Sequence, residues 1–183
     1  MQYRILVASL LTFAVVGGYF AGLEATGEWV LFSWHPFLMT CGMVGLMGLS
    51  TVTKKLGGYT NTKLHGILGW SGLLVSFGGI YAIYQSKENR GAPHYTSTHG
   101  KVGLALMLTC VGLGMAGGVF LHPDFGMDKT NKTIRFAHKT ASRLTLIAAW
   151  MTAFVGLMSL TNDVTKLAMY AVPLVMLVPF VLM

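Results

Sequence analysis

Six apolar runs, each long enough to cross a bilayer and each set off by a short polar break, constrain this chain more than any other feature. They run from Ile5 to Leu23, Ser33 to Val52, Thr62 to Tyr84, Ser97 to Leu121, Ile134 to Leu160 and Val164 to Met183. A spanning helix needs about 20 mostly apolar residues, so six of them use up nearly all of the 183 residues. No length remains for a soluble catalytic lobe. Charged residues are only 10% of the chain, whereas a water-facing domain carries about 25%. The expected fold is all-α, an integral membrane bundle of six transmembrane helices with a central four-helix core.

The breaks hold turn formers: Leu56-Gly57-Gly58, Asn89-Arg90-Gly91-Ala92-Pro93, His122-Pro123-Asp124 and Thr161-Asn162-Asp163. Ser33, Thr62 and Ser97 stand where side chains would cap the second, third and fourth helices. The first run follows Met1–Arg4 and also has the layout of a signal peptide; it is read as a retained helix. Cys41 and Cys110 both lie inside apolar runs and read as packed thiols.

Lysine and arginine distribute unevenly between the two ends of such a bundle. Arg4, Lys54, Lys55, Lys63, Lys129, Lys132, Arg135, Lys139 and Arg143 fall at one end, and Lys87, Arg90, Lys101 and Lys166 at the other. The positive-inside rule then places both termini in the cytosol. The net charge of +7 reads as topology, and no nucleic-acid partner is expected.

Four of the six histidines form a pattern. His35, His65, His99 and His138 each lie in the first one or two turns of the second, third, fourth and fifth helices. With alternating helix direction, His35 and His99 come near the outer face, and His65 and His138 near the cytosolic face. An ionisable side chain inside a span is costly and marks function. Bis-imidazole ligation of haem iron answers that cost, and helical bundle cores house such cofactors. A bare zinc ion would instead draw its ligands to one depth, with carboxylate or thiolate help, and no acid lies within any run. Gly42, Gly45, Gly48, Gly66, Gly69, Gly72, Gly100 and Gly103 trail the first three histidines. They serve either close helix packing or room for a flat macrocycle, and beside the histidines the second reading leads. The expected cofactors are two haem b, with irons roughly 20 Å apart if each pair sits a turn or so inside a 30 Å core.

Trp34-His35-Pro36-Phe37-Leu38-Met39, Lys63-Leu64-His65-Gly66, the stretch from Gly91 to Gly100 with its extra His94, and His138 with Arg143 resemble the cytochrome b561 family. The likeness covers nearly the whole chain, as one domain over residues 1–183, and is greatest to the six-helix, two-haem branch. The resemblance implies ascorbate-dependent reduction of monodehydroascorbate or a ferric chelate across the membrane, often by a homodimer. It implies pairing of His35 with His99 and of His65 with His138. It also implies ascorbate binding through Lys63 and Arg135, with Lys132 a weaker candidate, and an acceptor site near His94, Tyr95 and Arg90. Positive-inside charge explains the same lysines and arginines. Two readings stand for Arg143: its chain snorkels to the cytosolic face, or its guanidinium pairs with a haem propionate, which is favoured. Thr51-Val52-Thr53-Lys54-Lys55 departs from the basic, tyrosine-containing segment of longer family members, which weakens the ascorbate assignment. The last run ends without a polar tail, so a second reading is carried: a haem-bearing anchor subunit exchanging electrons with quinone or a partner protein.

Overall fold

The computed structural model describes residues 2–182. Six helices are long and apolar enough to cross a membrane: α1 Tyr3–Leu23, α2 Leu31–Lys55, α3 Gly58–Glu88, α4 Thr98–Leu121, α5 Lys132–Met158 and α6 Val164–Val181. Among the described residues there is no strand. Helices α2 to α5 form the inner four. α2 lies along α3 and α4 along α5, while α1 and α6 pack on the outside of α2 and α5.

The helices start where backbone donors find partners, and not always where the sequence suggested. Ser97 caps α4 by accepting from the Gly100 N–H at 3.1 Å. Asn131 caps α5 by accepting from Thr133 and Ile134. Ser33 is inside the helix, and its Oγ accepts from the Val30 N–H at 3.0 Å. Thr62 is not a cap either: α3 begins a turn earlier at Gly58, and the Thr62 hydroxyl donates to the Gly58 carbonyl. Gly57 and Gly58 take φ of +69° and +80°, a conformation open to residues without Cβ, and this allows the sharp α2–α3 turn.

The glycines of α2 pack helices together and do not leave space for a cofactor. A Cβ on Gly42 would lie 2.6 Å from the Gly72 carbonyl oxygen and closer still to the Ser76 hydroxyl. On Gly45 it would meet Ala14 at 2.9 Å, and on Gly48 it would meet Leu10 at 2.9 Å. Burial of Leu10, Val44, Leu49, Val52, Leu146, Trp150, Leu174 and Leu177 joins α1, α2, α5 and α6 in one cluster. Lipid supplies no hydrophobic drive between helices, so close van der Waals approach of this kind holds a bundle together. Gly66 has open space beside it, and Gly103 meets only Thr152 Cγ2, at 3.9 Å. Cys41 and Cys110 are free and half-buried.

One stretch of α2, Thr40–Leu46, winds as a π-helix. Within it the Met43 carbonyl accepts from the Trp150 indole N–H at 3.0 Å. The wide turn absorbs about one residue, so His35 and Ser50, fifteen apart in sequence, keep the phase of a fourteen-residue interval. Both therefore face α3.

Candidate functional site

The bundle brings the four helix histidines together two by two. His35 and His99 have ring centres 6.0 Å apart with planes at 88°. His65 and His138 have ring centres 6.4 Å apart with planes at 89°. The Nδ1 atoms define how the rings are held. That of His35 bonds the Gly79 carbonyl at 3.0 Å, and that of His99 the Thr152 carbonyl at 2.9 Å. His65 Nδ1 lies 3.0 Å from the Ser50 carbonyl and 2.8 Å from the Ser50 hydroxyl. A carbonyl only accepts, so Nδ1 carries the proton and Nε2 keeps its lone pair, the tautomer that a metal-ligating histidine needs. The fourth, His138, has a buried Nδ1 without a hydrogen-bond partner.

These contacts also give the spacing of the pairs. Gly79, which holds His35, lies fourteen residues beyond His65 on α3, and Thr152, which holds His99, lies fourteen beyond His138 on α5. At 1.5 Å per residue both intervals come to about 21 Å. Between the two levels, Met43, Leu73, Met107 and Ala149, one from each inner helix, form a buried apolar cluster.

The donor set fits haem iron. Ring centres 6.0 and 6.4 Å apart leave between each pair the room that one iron, with bonds of about 2 Å to each imidazole nitrogen, would take. Among the described residues no three of His, Cys, Asp and Glu converge on one point, which disfavours a tetrahedral zinc site. A cavity of about 330 Å³ adjoins the His35–His99 pair, with Phe32, Met39, Met43, Tyr84 and Tyr170 in its wall.

The remaining candidates divide. Arg135 precedes His138 by three residues and so lies about 60° round the helix from it, over the same face. Lys63 precedes His65 by two residues, about 160° away, and is occupied elsewhere. Its ammonium donates to Asp124 Oδ2 at 2.9 Å and Tyr59 Oη at 3.2 Å, while Tyr59 donates to Asp124 Oδ1 at 2.5 Å. Lys54, which the sequence offered only as a topology charge, takes the nearer place. It follows Ser50 by one turn and donates to the Thr62 hydroxyl at 2.6 Å, and Thr62 is three residues before His65. No sequence signal marks it, because Ser50, from which its helix phase is counted, does not stand out among the serines. Among the described residues Lys54 forms no ion pair. Lys132 is exposed at the start of α5. Arg143 is half-buried, five residues beyond His138 and about 140° round the helix from it, where it shares a field with Lys55.

At the opposite end His94 Nε2 meets Glu88 Oε1 at 2.7 Å, and its ring stacks on Tyr84 at 4.3 Å. Tyr95 beside it has φ of +52°. His94 and Tyr95 both line the His35–His99 cavity. His122 stacks on Phe125.

The Asp124 latch has its own consequence. Hydrogen bonds from Tyr59 and Lys63 hold the Asp124 carboxyl below the ordinary carboxylate range. A lowered pKa means that the latch contributes at pH above that range and is lost as pH falls through the lowered value. Asp124→Asn is therefore expected to speed proteolytic cutting of the 122–131 loop at neutral pH. The difference from wild type should vanish on acidification, as measured with an acid-active protease.

Fold and site together define a class, a multi-pass helical membrane protein with paired imidazoles near both ends. The eukaryotic cytochrome b561 family model matches residues 34–162, a span that contains all four paired histidines, and the chain belongs to the cytochrome b561 family. Membership implies haem b and transmembrane oxidoreductase chemistry. The chain is 29% identical over 151 residues to the transmembrane reductase CYB561D2 of Mus musculus, covering 76% of this chain and 68% of that one. The Homo sapiens protein of that name gives the same figures. The lysosomal membrane ascorbate-dependent ferrireductase CYB561A3 of Bos taurus is 26% identical over 89 residues, 45% of this chain and 34% of that protein.

Proposed function

We propose that this chain is a single-domain, di-haem b reductase. It would move electrons one at a time from ascorbate at the Lys54–Arg135 end to monodehydroascorbate or a ferric chelate at the His94 end. The observation that carries this reading is the repeated imidazole pair, about 21 Å apart along the helices, with three of the four rings held through Nδ1. The excess of lysine and arginine at the Lys54 end supports a cytosolic orientation for it. A haem b bound at each pair supplies reversible one-electron exchange.

The chain's own residues then have distinct tasks. Gly79, Ser50 and Thr152 orient the imidazoles and keep Nε2 free of its proton. Lys54 and Arg135, with the Thr62 hydroxyl, attract the ascorbate anion, and Lys63 and Lys132 add to the field. Arg143, half-buried deeper in the span, would add positive charge on that side for a haem propionate. The oxidation releases one electron and one proton, the proton going to water at the polar end. At the other end His94, held by Glu88, and Tyr95 face the acceptor. Monodehydroascorbate takes up one electron and one proton there, whereas a ferric chelate takes only the electron.

The test is vesicles loaded with ascorbate and carrying the protein, with a membrane-impermeant ferric chelate outside. Reduction of the external iron is expected. No reduction above protein-free vesicles, with the haems intact, would sink the proposal. Lys54→Gln removes one charge-assisted hydrogen bond, worth about 1.5–3 kcal/mol, so the half-saturating ascorbate concentration should rise about tenfold or more. Lys63→Gln should have a smaller effect. A neutral hydroquinone as donor should distinguish neither variant from wild type.

A further inference from the structure

The sixth helix carries none of the four paired histidines, yet it places a polar group on the wall of the His35–His99 cavity. Tyr170 lines that cavity, and its ring meets Phe13 of α1 edge-on, with centres 6.4 Å apart. Its hydroxyl is buried and makes no hydrogen bond, a state shared among the described residues only by His138 Nδ1. Packing does not require that oxygen, since a phenylalanine would keep the edge-on contact. Nor does the attachment of α6 to α1 use it: Lys166, one turn earlier, pairs with Glu24 at 2.6 Å. A buried hydroxyl without a partner is costly, so its retention points to an acceptor that arrives with the cavity's occupant.

The chemistry of the cavity narrows that acceptor. The lining is mostly apolar, with Lys87, His94 and Ser97 among its few polar residues besides Tyr170. A haem b is apolar except for its two carboxylates, and its iron would be taken by His35 and His99. We infer that Tyr170 is a haem-binding residue, donating its phenolic hydrogen to a propionate carboxylate of the haem held between His35 and His99. The inference rests on the haem reading above and extends the site from the four inner helices to α6.

Tyr170→Phe in the haem-loaded protein tests it. Two changes are expected: transfer of one of the two haems to excess apomyoglobin becomes about two- to tenfold faster, the range of a single lost hydrogen bond. In a redox titration one midpoint potential moves to a more negative value, because the carboxylate charge is less offset, and the other stays. Unchanged haem transfer and unchanged potentials would overturn the inference while leaving the haem reading intact. A raised half-saturating concentration of the external acceptor, with both haem readouts unchanged, would move the hydroxyl's partner to the substrate and overturn it as well. Wild-type protein that purifies without haem would overturn both readings.

Discussion

His35→Ala is expected to yield a folded protein that has lost one haem of two and no longer passes electrons across the membrane, and His65→Ala to lose the other. Each imidazole is one of two that converge at a depth, and the two depths lie about 21 Å apart, too far for one pair to substitute for the other. Removing His35 leaves the Gly79 carbonyl without its partner and His99 alone. The His65–His138 pair touches neither. Haem content per chain should therefore fall by half in either variant, and transmembrane reduction should drop to the level of protein-free vesicles. Added imidazole should restore part of the missing absorption in His35→Ala, because the defect is a vacant ligand position in an otherwise intact bundle. Loss of both haems from a single histidine variant would contradict independent pairs.

Gly42→Val is expected to remove both haems together, for a different reason. The backbones of α2 and α3 meet at Gly42 and Gly72, where a Cβ would come within 2.6 Å of a carbonyl oxygen. The seam cannot yield without displacing the wall behind it, which holds the buried Ser76 and Leu73. Overpacking costs about 1–3 kcal/mol, occasionally more, and a contact with backbone on the far side belongs at the upper end. The same seam carries a support for each pair, His35 on Gly79 of α3 and His65 on Ser50 of α2. Separating the helices loosens both. Detergent-solubilised Gly42→Val should melt well below wild type and bind little haem at either position. Wild-type melting with two haems would show that the contact yields more easily than its geometry implies.

The contrast between these two variants reflects what the sequence displays and what it hides. Four histidines inside apolar runs stand out because imidazole is out of place in lipid, and alternating helix direction sorts them by depth without coordinates. The groups that hold the rings do not stand out. Gly79 and Thr152 act through backbone carbonyls, which have no residue signature, and Ser50 is one of several serines in apolar surroundings. The glycines of α2 carried two meanings, and only the distances to Gly72, Ser76, Ala14 and Leu10 separate packing from cofactor room. Lys63 entered through the family resemblance, two residues before His65, but residues two apart leave a helix in different directions. Lys54, eleven residues away, is the one whose turn lies over the pair. The π turn at Thr40–Leu46 is also silent in the sequence. It shifts every later residue of α2 by about one position and thereby sets which side chain reaches α3.

Counting haem against chain in purified wild-type protein, with an electron paramagnetic resonance spectrum of the oxidised form, tests the central claim most directly. Two haems per chain, both low-spin with paired-imidazole signals, are the result that two clamped porphyrins predict. A single haem, or a high-spin iron with one open axial position, would contradict it.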